Sequence, residues 1–192
     1  MKDNWNWKYY TWINYFSKEE VEQISEFIEN NYIGEEDPTH GATTKDGKLK
    51  KQISTVKYIA YEKVEPLISR LVKEAFQVAN LDFGYITFGP HPRDCLLYNT
   101  YHSENKDCYN WHYDESRSPL SDVKLTLLVN LSTEPYEGGE FEMYLDSETS
   151  DSRFDKPGSA IMFKSHLNHR VLPVTSGIRK SLTIFIHGPK FR

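Results

Sequence analysis

The hydrophobic pattern of this chain changes period once, near residue 80, and that change constrains the fold more than any other feature. Before it, apolar residues recur at helical spacing. Ser17-Lys-Glu-Glu20 is a capping box, in which a hydroxyl and a carboxylate satisfy orphan N–H groups reciprocally. Val21, Ile24, Phe27 and Ile28 follow, so the spacing predicts a helix over about 18–31. A second helix is predicted over about 62–79 from Val64, Leu67, Ile68, Leu71, Val72, Ala75, Phe76 and Ala79, with Pro66 in its first turn and Asn80 as its stop. Between them, residues 34–52 are polar and unperiodic and read as a loop carrying Lys45, Lys48, Lys50 and Lys51. After residue 80 the segments 83–88, 95–101, 123–131, 140–145, 159–163, 169–174 and 180–186 are short and β-branched or aromatic. Turn residues such as 135–139 and 155–158 separate them. Helices first and strands afterwards predict an α+β fold: a β-sandwich or jelly roll with helices buttressing one sheet.

Length supports one unit. A chain of 192 residues buries enough surface to need no disulfide or metal staple, so residues 1–192 are expected to be a single domain, helical to about 80 and β-rich over about 81–190. Four Trp, 13 Tyr and 10 Phe supply core rings. Cys95 and Cys108 form neither a disulfide framework nor a CxxC zinc spacing. No apolar run approaches the ~20 residues that span a bilayer, and the first residues lack a signal-peptide pattern, so a soluble cytoplasmic protein is expected. A formal net charge of −5 argues against dedicated nucleic-acid binding.

Chemistry concentrates in the histidines. In His112-Tyr-Asp114 the spacing i, i+2 puts imidazole and carboxylate on one face of a strand, where they can share a cation. Chance alone predicts about one His-x-acid triplet in this composition, and His102-Ser-Glu104 is another, in a polar stretch read as an exposed loop. The downstream residues distinguish the first triplet. His169 follows 55 residues after Asp114, and two His with one carboxylate make a facial triad for non-haem Fe(II). Arg179 comes ten residues later and Ser181 shares its strand face, a guanidinium fork and a hydroxyl that suit a carboxylate.

Taken in order, Tyr101, Tyr109-Asn-Trp-His112-Tyr-Asp114, Gly138-Gly-Glu140, His169-Arg-Val-Leu-Pro-Val and Gly177-Ile-Arg179-Lys-Ser181 resemble the Fe(II)/2-oxoglutarate oxygenases, in their prolyl 4-hydroxylase-like (PKHD-type) branch. The resemblance covers roughly residues 95–189. It implies a double-stranded β-helix (jelly roll) core with the N-terminal helices packed on one sheet. It implies that His112, Asp114 and His169 bind iron and are catalytic, and that Arg179 and Ser181 hold the distal carboxylate of 2-oxoglutarate. The same resemblance implies that Tyr101, or Tyr98 in its place, contacts that cosubstrate. Fe(II), 2-oxoglutarate and O2 follow as cofactors, with ascorbate as an added reductant, and C–H hydroxylation releases succinate and CO2. Asp114 sets the chain apart from related halogenases, which lack this carboxylate. Phe185 stands six residues after Arg179, where the branch usually has Trp and nucleic-acid demethylases a second arginine.

Plainer roles compete for each residue. His112 and Asp114 could form a structural hydrogen bond, His166 could replace His169, and Arg179 could sit in a surface ion pair worth little. Gly138 and Gly139 read as a turn permitting positive φ, and Trp111 and Tyr113 as core or rim packing. The expected substrate is a prolyl or other side chain of a protein or peptide. A small-molecule substrate, a catalytically silent jelly-roll binding module and a zinc hydrolase on the same three ligands are the alternatives. The segments 34–52 and 102–108 are expected lids.

Overall fold

The computed structural model describes residues 5–6, 8–36, 52–115 and 118–190. In chain order these form β1 (Trp5–Asn6), β2 (Tyr9–Trp12), α1 (Lys18–Asn31), β3 (Gly34–Glu36), β4 (Gln52–Ile53), β5 (Thr55–Ala60) and α2 (Tyr61–Leu81). There follow β6 (Cys95–His102), a 3-10 turn at Ser103–Asn105, β7 (Cys108–His112), β8 (Ser121–Asn130), β9 (Glu137–Gly138) and β10 (Phe141–Tyr144). The last elements are β11 (Glu148–Ser150), β12 (Ala160–Lys164), β13 (His169–Val171), β14 (Val174–Ser176) and β15 (Ile178–Pro189).

The capping box forms as expected: the Glu20 amide donates to Ser17 Oγ and the Ser17 amide to the Glu20 carboxylate at 2.8 Å. Helix α2 starts at Tyr61, so Pro66 lies inside the helix rather than in its first turn. A proline there forfeits one backbone hydrogen bond. Val64, Ile68, Leu71, Val72, Ala75 and Ala79, all buried, clamp the helix to the sheet and hold it through that position.

Two antiparallel sheets and one short strand pair organise the rest. The large sheet has the order β1-β2-β12-β8-β15-β6-β5-β3, the small one β11-β10-β13-β7-β4, and β14 pairs with β9. Alternation along each strand divides the core in two. One face of the large sheet offers Leu96, Tyr98, Leu125, Leu127, Val129, Leu182, Ile184 and Ile186 to α1 and α2. The other offers Tyr101, Leu128, Ile161 and Phe163 to Phe141, Met143 and Val171 of the small sheet.

Several expectations are corrected. The N-terminal part is not only helical, because β1, β2, β3 and β5 join the large sheet and β4 the small one. Residues 83–88 form no strand: the run leaves α2 with Tyr85 N bonded to Ala79 O and touches β15 through Phe88 N to His187 O at 2.7 Å. Residues 169–174 are β13 plus the first residue of β14, broken at Leu172-Pro173, where proline has no N–H for a ladder. The stretch around 102–108 is a corner between the two sheets whose tip, Glu104, Asn105 and Lys106, is exposed as expected, but whose base is pinned. Asp107 is fully buried, accepts from the His102 amide at 2.8 Å, and its carbonyl accepts from Val174 N at 3.0 Å. Of the polar segment 34–52, residues 34–36 are β3, residue 52 opens β4, and 37–51 with the four lysines lie outside the described residues.

Candidate active site

The gap between the sheets narrows to one pocket lined by Leu97, Asn99, Tyr101, Tyr109, His112, Asp114, Thr126, Leu128, Phe141, His169, Val171, Arg179, Ser181, Thr183 and Phe185. The large sheet supplies Tyr101, Thr126, Arg179 and Ser181, and the small sheet the two histidines. His112 and His169 are direct cross-strand partners of β7 and β13, and a register shift follows His169. Asp114 stands two residues beyond the end of β7 rather than within a strand. Its amide donates to Ser165 O at 2.9 Å, which brings the carboxylate back over the imidazoles.

One ligand atom from each of His112, Asp114 and His169 lies within 4.8 Å of the others, a spacing that suits one metal ion. His112 Nε2 is 4.0 Å from Asp114 Oδ1, and His169 Nε2 is 3.6 Å from Asp114 Oδ2. Both imidazoles are oriented from behind: His112 Nδ1 meets Asn110 O at 2.7 Å and His169 Nδ1 meets Leu167 O at 2.9 Å. A carbonyl only accepts, so each Nδ1 carries a proton and Nε2 is the nitrogen left facing the cluster, where a metal would take it. Burial pushes the His169 pKa down to about 4, against the Leu167 carbonyl, so this imidazole is neutral at pH 7. Burial raises the Asp114 carboxyl above its usual range, opposed by the Thr126 hydrogen bond and the His112 charge. Tyr109 stacks on His112 with ring centroids 3.5 Å apart, and Phe141 and Phe163 enclose His169.

Arg179 lines the same pocket at 1% exposure. Its Nη1 meets Ser181 Oγ at 3.3 Å, and Nε has no hydrogen-bond partner. Among the described residues no carboxylate stands at ion-pair distance from it. Half-buried Asp155, whose carboxyl is raised by burial, only feels its charge. Leaving a buried cation unpaired is costly unless an anion joins it. Tyr101 lies 5.4 Å below the guanidinium, and burial raises its pKa, so it stays a neutral phenol. The Gly138-Gly139 turn makes room for this arginine: at Gly139, φ is +67° and an added Cβ would stand 2.9 Å from Arg179 Cδ.

The structure therefore brings together all six residues singled out from sequence. It also separates the competitors. Tyr98 faces the helices, His166 is exposed, and His102 and Glu104 stay out of the metal cluster. Trp111 packs on the rim, 4.5 Å from the Arg170 guanidinium and edge-on to Tyr144. Sequence reasoning gave no role to Thr126, whose hydroxyl donates to Asp114 Oδ2 at 2.6 Å, nor to Asn99 and Thr183, which bond each other on the pocket wall. The signal for Thr126 was a lone hydroxyl in the apolar run Leu125–Val129.

An inward-facing set of two imidazoles and a carboxylate, in one pocket with a guanidinium that lacks a carboxylate partner among the described residues, is what a dioxygenase drawing on a keto dicarboxylic acid requires. Residues 96–187 match the 2OG-Fe(II) oxygenase superfamily. A PKHD-type hydroxylase of Shewanella oneidensis is 28% identical over 179 residues, covering 90% of this chain and 75% of that one. A Pseudomonas putida prolyl-4-hydroxylase has the same fold, with a TM-score of 0.67 at 15% identity over 95% of this chain and 94% of that one. So does a Trichoplax adhaerens prolyl hydroxylase in complex with a peptide fragment of a hypoxia inducible factor oxygen degradation domain, with a TM-score of 0.63 at 16% identity over 93% of this chain and 83% of that one. The chain matches the Fe(II)/2-oxoglutarate oxygenase superfamily and resembles its PKHD-type, prolyl 4-hydroxylase-like branch, and it is a 2-oxoglutarate-dependent dioxygenase. Among the described residues no helix is long and apolar enough to cross a membrane.

Proposed function

We infer that this protein hydroxylates a prolyl or other side chain of a protein or peptide, with His112, Asp114 and His169 as iron ligands and Arg179 as the cosubstrate anchor. The observation that carries the reading is one pocket holding an oriented His-Asp-His cluster and a buried arginine with no carboxylate beside it among the described residues. We read the two facing sheets as a double-stranded β-helix and residues 1–192 as one catalytic domain.

The residues fit the implied groups. Two imidazoles and a carboxylate suit Fe(II), and an Nε without a partner suits an incoming carboxylate. Bound iron, with 2-oxoglutarate and O2, supplies the oxidation of a C–H bond, and ascorbate serves as its reductant. The protein's part is positional. Asn110 O and Leu167 O fix the ligand tautomers. Arg179, Ser181 and the Tyr101 phenol fix the distal carboxylate and so the direction in which the keto acid points. Leu128, Phe141 and Val171 keep bulk water from the pocket floor.

The prolyl reading of the substrate rests on the relatives, which include a PKHD-type hydroxylase and prolyl hydroxylases, one holding a peptide. Incubating the iron-loaded protein with 2-oxoglutarate, O2 and a library of proline-containing peptides, beside free proline and small amides, tests it by mass spectrometry. A gain of one oxygen on a peptide, lost with Asp114→Ala, is the expected result. Oxygen gained only by small molecules makes this a small-molecule hydroxylase. Tight peptide binding without oxygen gain or succinate makes it a silent binding module.

A further inference from the structure

We propose that Thr126 is a positioning residue for the metal site: its hydroxyl occupies Oδ2 of Asp114 and so presents Oδ1 to the metal ion. The inference deepens the reading of His112, Asp114 and His169 as ligands and rests on it.

A carboxylate offers a cation two oxygens, and a ligand that swings between one and two bonds consumes coordination positions that substrates need. Here the two oxygens are unequal. Thr126 Oγ1 donates to Oδ2 at 2.6 Å, a short charge-assisted bond. Oδ1, 4.0 Å from His112 Nε2, receives no hydrogen bond of this kind among the described residues, whereas Oδ2 takes the Thr126 proton and also lies 3.6 Å from His169 Nε2. The donated proton engages a lone pair of Oδ2 and draws charge from it, which leaves Oδ1 the freer donor.

Thr126 is held for this task. It is 1% exposed in the middle of β8, where it pairs in register with Phe163 of β12 and Phe185 of β15. A β-branched side chain in a central strand has a stiff χ1, so its hydroxyl keeps its aim. Asp114, beyond the end of β7, has no ladder of its own and depends on such contacts. Its backbone is tied by Ser165 O and its side chain by Thr126. The oxygens of Asp114 are thus assigned by the large sheet, while both imidazoles come from the small one.

Thr126→Val keeps shape and β-branching and removes the hydroxyl; Thr126→Ser restores it. The probe is Mn(II), titrated calorimetrically without O2 and then with 2-oxoglutarate, alongside the visible spectrum of the Co(II)-loaded protein and the melting temperature of the metal-free protein. Outer partners of metal ligands typically contribute roughly 10–100-fold in affinity. Thr126→Val should therefore weaken Mn(II) by about tenfold or more and change the Co(II) spectrum, and Thr126→Ser should recover both. A Thr126→Val protein that melts like the wild type yet binds Mn(II) and Co(II) identically overturns the proposal. So does a valine effect that serine leaves uncorrected. If the wild type itself binds no metal, the ligand assignment fails instead, which keeps the two failures distinct.

Discussion

The two faces of the large sheet are built from alternate residues of the same strands, yet they differ in kind. Toward the helices β15 shows Leu182, Ile184 and Ile186, and toward the small sheet Arg179, Ser181, Thr183 and Phe185. Strand β8 shows Leu125, Leu127 and Val129 one way and Thr126 and Leu128 the other. The helix side is almost wholly apolar and covered, its polar exception being the buried Tyr98 hydroxyl. The pocket side keeps a buried guanidinium with an unpartnered Nε and three inward ligand atoms. Stability is invested in one face and left incomplete in the other. A buried cation beside three ligand atoms turned to one point marks where other molecules bind.

Substitutions on the two faces should therefore separate binding from stability. The largest functional loss is expected from Asp114→Ala and His169→Ala, which remove ligands outright. Iron binding and succinate release should fall well beyond the roughly 100-fold typical of outer partners, measured by anaerobic titration and turnover. Arg179→Ala should weaken 2-oxoglutarate by about 100-fold, since charge-assisted hydrogen bonds each contribute about 1.5–3 kcal/mol, with metal affinity unchanged. Because Arg179 pairs with no carboxylate among the described residues, the same variant should not lower the melting temperature of the apo protein, and a large drop would break the comparison.

On the helix side the pattern inverts. Leu127→Ala should cost about 2–5 kcal/mol in denaturant unfolding, while the folded fraction keeps its affinity for 2-oxoglutarate. Smallest of all, Ser181→Ala should raise the 2-oxoglutarate KM only severalfold, about 1 kcal/mol for one neutral hydrogen bond. An effect equal to that of Arg179→Ala would mean that the hydroxyl, not the guanidinium, anchors the cosubstrate.

Much of this was legible in the sequence for local reasons. The capping box and the i, i+3, i+4 spacing define α1 to the residue because neither depends on distant partners. The parity of His112 and Asp114, and of Arg179 and Ser181, survives even though Asp114 lies past its strand. The choice between Tyr98 and Tyr101 was open until the strand face was known, since three residues apart means opposite faces. The strands β2 and β5 were hidden because their pairing partners β12 and β6 lie far along the chain. Residues 83–88 carry strand composition without a ladder beside them, which shows the limit of local pattern. Thr126 was invisible as an outer partner because its hydrogen bond to Asp114 exists only once the two sheets face each other.

The central claim, that one pocket joins a His-Asp-His iron site to an arginine anchor for a keto dicarboxylic acid, has a direct test. Apo protein is mixed anaerobically with Fe(II) and 2-oxoglutarate, the visible charge-transfer band is recorded, and O2 is then admitted while succinate is measured. The account predicts a band that vanishes in Asp114→Ala and His169→Ala, that needs far more 2-oxoglutarate in Arg179→Ala, and that decays with succinate release on oxygenation. Absence of the band in the wild type, or a band indifferent to Asp114→Ala and His169→Ala, would contradict it.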